Sequence, residues 1–268
     1  MNQVRPAAVS GSFYPRQHEA LAQEVAALLS AAKQRKSVAP KALIAPHAGY
    51  VYSGPIAANA YARLIPARER IKRVVLLGPA HYVAVRGLAL PDVRSFATPL
   101  GMVPLDDAGV ETLSRLPQVS QSNAAHASEH SLEVHLPFLQ TVLEKFTLVP
   151  LAVGDTTPEE IADVLDLLWG GKETLIVVSS DLSHYLPYET ARRVDQATAQ
   201  EILDLRESIS HQQACGASPV NGLLLAAQRH HLKPELLDLR NSGDTAGDHN
   251  RVVGYAAFAF IESAQNVH

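Results

Sequence analysis

A chain of 268 residues is long enough to bury a sizeable core, and 47% hydrophobic against 19% charged residues marks it as globular rather than disordered. A formal net charge of −4 offers no basic face for nucleic acid, no apolar run approaches the ~20 residues of a membrane span, and the start of the chain lacks the apolar core of a secretion signal. One cysteine, Cys215, excludes an internal disulfide and fits a reducing, cytoplasmic setting, while twelve histidines raise the expectation of a metal or acid–base site.

In chain order, Gly11, Phe13, Tyr14 and Pro15 form a loop with two aromatics. Leu21, Val25, Leu28 and Leu29 fall at helical spacing, and the charged run at 33–36 reads as a solvated helix end. Ala42–Ala45 is an apolar strand stopped by Pro46 and followed at once by His47. Ser53 as N-cap and Pro55 in the first turn predict a helix over 56–64. Residues 73–77 are a second strand, left through Gly78, Pro79, Ala80 and His81. Short β-type pieces at 87–91 and 96–103 predict an edge hairpin or excursion.

Asp106 caps a helix from Asp107 to about Leu116, residues 123–130 are polar and irregular, and 132–146 reads as helix. Thr147–Val153 is strand, and Thr157 with Pro158 opens a helix ending near Trp169. Residues 175–178 are strand, left through Asp181–Tyr185, and 189–205 is a long helix. Cys215 and Gly216 lie in a loop before a helix over 219–230. Residues 236–239 are strand, 241–250 are loop, and 252–261 is the last strand. Strands alternating with helices predict α/β architecture, a mostly parallel central sheet with helices on both faces, and no linker divides it, so residues 1–268 read as one domain.

Ligands of open parallel sheets bind beyond the carboxyl ends of the strands. His47, His81, Asp181 and His184 lie just past three such ends, which suits a metal or proton-transfer site. A single histidine after a strand usually only bonds its own loop; three at equivalent exits argue for convergence. Asp181 either caps its turn or orients an imidazole or reaches a metal. Cys215 is either a small buried side chain or, near a helix start, a thiolate. His126, Glu129, His130, Glu133 and His135 crowd ten residues without forming HExxH; Glu129 and His135 are the expected pocket-lining members, the alternative being a capped, solvated helix end. Dinucleotide, P-loop and GxSxG signatures are absent.

The motifs GSFYP (11–15), APHAGYVYSGP (45–55), GPAHY (78–82), EHSLEVHLPFLQ (129–140), SSDLSHY (179–185) and ACGASP (214–219) together resemble the Memo family, whose prokaryotic members are often called AmmeMemoRadiSam system protein B. The resemblance spans nearly the whole chain. It implies a class III extradiol dioxygenase-like fold, with His47, His81 and Cys215 as metal ligands and His184 and Asp181 as catalytic groups; Tyr50 joins Glu129 and His135 as an expected pocket-lining residue. A cysteine where the dioxygenases carry a carboxylate argues against importing ring cleavage by fold alone. The implied cofactor is a divalent metal, Fe(II) foremost, with copper or zinc as alternatives. The implied reading is a metal-dependent redox enzyme of unknown substrate. A non-catalytic module binding a peptide or small anion on the same scaffold is the alternative, and zinc-assisted hydrolysis a third. AMMECR-type and radical-SAM proteins are the implied associates.

Overall fold

The chain is described by a computed structural model over residues 3–33 and 38–262. The predicted helix end at 33–36 therefore lies, apart from Lys33, outside the described residues. The first half runs β1 (Val4–Arg5), α1 (His18–Ala31), β2 (Ala42–Ala45), α2 (Tyr50–Tyr61), β3 (Arg73–Pro79), β4 (Leu88–Leu90), β5 (Ser95–Thr98), β6 (Gly101–Pro104), α3 (Asp107–Leu113), β7 (Val119–Gln121) and α4 (Asn123–Ala127). The second half runs α5 (Leu136–Val142), β8 (Thr147–Val153), α6 (Pro158–Leu167), β9 (Thr174–Ser179), β10 (His184–Leu186), α7 (Tyr188–Leu203), α8 (Ala217–Arg229), β11 (Leu232–Asn241) and β12 (Val252–Glu262).

Strands β2, β9, β3 and β8 are adjacent and parallel. On one flank β12 and then β11 join antiparallel; on the other β4 joins β8 antiparallel and carries β7. The predicted parallel sheet is thus a parallel centre in a mixed sheet. Of the two pieces of the predicted excursion, the first is β4 of the main sheet, and the second is the hairpin β5–β6, which with β1 forms a separate three-stranded sheet. No described helix is long and apolar enough to cross a membrane.

The central strands are continuous apolar runs because both faces are covered. Leu43, Val74, Leu76 and Val177 face one core with α1, α2 and α5. Ile44, Val75, Leu77 and Val178 face the other with α6 and α8. The period of two splits each strand between the two cores.

Several boundaries depart from expectation: among them, residues 123–130, read as irregular, contain α4, and the strand read as 236–239 is the longer β11. Helix α2 starts at Tyr50 rather than Ile56: Ser53 is inside it, its hydroxyl donating to Ala48 O at 2.8 Å, and Pro55 is accommodated within the helix. The predicted helix over 132–146 is a 3₁₀ turn, Glu133–His135, followed by the short α5 with Pro137 in its first turn. Asp106 does occupy the N-cap of α3, but its carboxylate pairs with Arg73 instead of capping.

Candidate metal centre

The carboxyl ends of β2, β3 and β9 deliver His47, His81 and Asp181 to one edge of the sheet. The stretch between α4 and α5 brings Glu129 and His130 to the same edge. Gly216 brings the start of α8 there: a Cβ at this position would meet Ser179 O at 2.6 Å, so only glycine lets Cys215 approach the end of β9.

One ring nitrogen from each of His47, His81 and His130 lies within 4.8 Å of the others. The rings of His81 and His130 stack at 4.7 Å and 19°, and His47 meets both edge-on at 5.2 and 5.4 Å. The hydrogen bonds select tautomers. Ser179 Oγ donates to Ser131 O at 2.6 Å, so it accepts from His47 Nδ1 at 2.6 Å and leaves a lone pair on His47 Nε2. His81 Nδ1 is 2.8 Å from Glu129 Oε1, which likewise frees its Nε2. Imidazoles with Nδ1–H tied to a carboxylate or hydroxyl are the usual form of a metal-ligating histidine.

Glu129 holds this arrangement together. Its two oxygens accept from the backbone N–H of His81 at 2.6 Å and of His130 and Ser131 at 3.0 Å, besides the His81 ring. Burial pushes its pKa up, but these bonds outweigh burial and hold it at about 2. Both oxygens are engaged, so Glu129 completes no two-histidine, one-carboxylate triad.

Burial, then the neighbouring imidazoles, holds His47 well below the usual histidine range. Burial followed by His81 holds His130 at about 4. Both are neutral near pH 7, as ligands must be. Asp181 is pushed up by burial to about 7, although its Oδ1 accepts from His47 N at 2.8 Å. Cys215 Sγ lies 3.3 Å from His47 Nε2, and burial followed by the Asp181 charge raises the thiol to about 12.

His47, His81, Asp181 and Cys215 lie at the same sheet edge, but the group whose ligand atoms all lie within 4.8 Å of one another takes His130, where Cys215 was expected, as its third member. His184 lies within electrostatic reach of His47 and His81. Asp181, however, holds the backbone of His47, and His184 Nδ1 is held by Leu182 O at 2.8 Å. Tyr50 is buried in the core, its hydroxyl donating to Val134 O at 2.6 Å between the rings of Tyr14 and Phe138. His135 is also buried behind the site, bonded through Nδ1 to Tyr61 at 2.8 Å. The apolar packing of α2 against α5 draws both inward. His130 and Ser179 are the residues that sequence reasoning passed over. The crowded histidines of 126–135 and the SSD run were their only signals.

Beside the cluster a cavity of about 480 Å³, in the range of small-molecule sites, is walled by His81, Cys215, Val83, Val153, His211 and Ser218. Two larger grooves, one beside β6 and α5 and one between α1 and β11, do not touch these histidines.

Fold and site define an α/β protein with a histidine cluster able to hold a metal ion beyond the carboxyl ends of its parallel strands. The family model described as Memo-like protein matches residues 5–259. A MEMO1 family protein of Aquifex aeolicus is 36% identical over 96% of this chain and 99% of its own length, and one of Methanocaldococcus jannaschii is 35% identical over 98% and 100%. The chain belongs to the Memo family. A solved structure of an uncharacterized Escherichia coli protein shares the fold, with a TM-score of 0.52 and 14% identity over 81% of this chain and 98% of that one.

Proposed function

We propose that the chain is a metal-dependent redox enzyme in which His47 and His81 hold a non-haem ion, iron foremost and copper as the alternative. The observation that carries this reading is the convergence of three imidazole nitrogens within 4.8 Å, at the edge where open sheets bind ligands. Imidazoles with a thiol in reach favour first-row transition metals over magnesium or calcium. When bound, such an ion supplies electron transfer and Lewis acidity.

The remaining steps belong to side chains. Asp181, poised at about 7, can give or take a proton close to neutrality. His184, its Nδ1 bonded to Leu182 O, keeps Nε2 as a base. The cavity walled by His81 and Cys215 admits a small substrate and orients it toward the imidazoles.

The test is elemental analysis of full-length protein purified without air or chelator, together with oxygen uptake on a panel of catechols and thiols. The reading expects close to one ion per chain, lost in His47→Ala and His81→Ala, with turnover only in the metallated wild type. A full metal complement retained by the double variant would overturn it.

A further inference from the structure

We infer that the centre has two alternative third ligands, His130 and Cys215, and that the softness of the metal decides which one binds. This rests on the metal reading above and goes beyond it.

The Nε2 lone pair of His47 has a different donor at hand on each of two elements. Cys215, at the start of α8, places Sγ 3.3 Å from that nitrogen. In a tetrahedral site with metal–N of about 2.0 Å and metal–S of about 2.3 Å, the two donors stand about 3.5 Å apart. His47 and Cys215 are therefore already spaced as ligands of one ion. His130 comes from the loop anchored by Glu129, and with His47 and His81 it forms the group within 4.8 Å. Cys215 is not a member of that group. The two candidates are thus separate completions of a shared His47–His81 pair: His130 already lies within the 4.8 Å group with both imidazoles, whereas Cys215 stands at ligand spacing from His47 and would complete the set when an ion binds.

The donors differ in chemistry. Thiolate prefers soft ions, and imidazole suits borderline ones. With a soft ion, Cys215 loses its proton to solvent as the metal–sulfur bond forms, and His130 stays stacked on His81 and tilted against Phe13, whose ring is 4.8 Å away. With a borderline ion, His130 binds and the Cys215 thiol remains in the wall of the cavity. Ligand choice then sets both the electronic character of the ion and the face the pocket shows to substrate.

The experiment is anaerobic titration of the full chain with Cd(II) as the soft probe and Ni(II) as the imidazole-preferring one. Affinity is read by chelator competition and thiolate ligation by the ultraviolet sulfur-to-metal charge-transfer band. For Cd(II) the expected result is a charge-transfer band that disappears in Cys215→Ser, with affinity falling about tenfold or more, while His130→Ala changes it less than about threefold. For Ni(II) the two variants exchange roles and no sulfur band develops. His130→Gln and Cys215→Ala, checked by circular dichroism, guard against loss of fold. If the same substitution weakens both ions and the other weakens neither, the ligand set is fixed and the inference fails while the metal reading stands. If neither ion binds the wild type, both fail.

Discussion

The His47 imidazole is fixed by a relay, His47 Nδ1 to Ser179 Oγ to Ser131 O, that dictates which nitrogen is free. Ser179→Ala should weaken metal binding by about tenfold, measured by chelator competition, because partners of this kind typically contribute 10–100-fold. Asp195 offers a test of electrostatics away from the metal. It is buried, accepts from Ser183 N at 3.0 Å, and is pushed up by burial from 3.8 to about 6. A raised carboxyl pKa means the folded state binds more protons than the unfolded state between those values. The stability this contributes is present at low pH and is lost as pH rises from about 4 through 6. Asp195→Asn should match wild type near pH 4 and exceed it by roughly 2 kcal/mol near pH 8 in denaturant titrations; equal pH dependence in the two proteins would refute this. At this scale His47 and His81 were legible, since an apolar run ends just before each. Ser179 and His130 were not, because their roles depend on partners 48 residues away or on ring stacking that no local pattern encodes.

Among the elements, the N-terminal segment is part of the site's foundation. Glu133 is fully buried and accepts from Arg5, from the backbone of Ala8 and Val9 at 2.7 and 3.0 Å, and from Tyr14. Arg5 also donates to the carbonyls of His126 and Glu129. This hub ties the first residues to the loop that carries Glu129 and His130. Glu133→Ala leaves a buried guanidinium unpaired and should cost about 3–5 kcal/mol in chemical unfolding; a loss below about 1 kcal/mol would show that the hub is not structural. The core strands were readable as apolar runs. Strand β10 was not, because His184–Leu186 is only three residues long and carries no alternation to betray it. The start of α2 was misplaced because Ser53 and Pro55 make a good local cap signal, which the packing of Tyr50 against Tyr14 and Phe138 overrides.

Across the whole molecule, topology does what sequence spacing cannot. His47 and Asp181 are 134 residues apart and joined by one 2.8 Å hydrogen bond because β2 and β9 are parallel neighbours. Alternating helices and strands made the parallel centre legible; the antiparallel direction of β11 and β12 was not, since nothing in the residues of either strand marks which way it runs. Donors drawn from β2, β3 and the loop before α5 should couple metal binding to global stability. An ion at a hundredfold excess over its Kd adds about 2.7 kcal/mol. At this chain length that is a rise in Tm of roughly 5–10 °C by scanning calorimetry, absent from His47→Ala. The most direct test of the metal centre is anomalous diffraction from crystals of the metal-loaded full chain. A single anomalous peak about 2.0–2.2 Å from Nε2 of both His47 and His81 is the predicted result; a loaded crystal with no peak between those two imidazoles would contradict it.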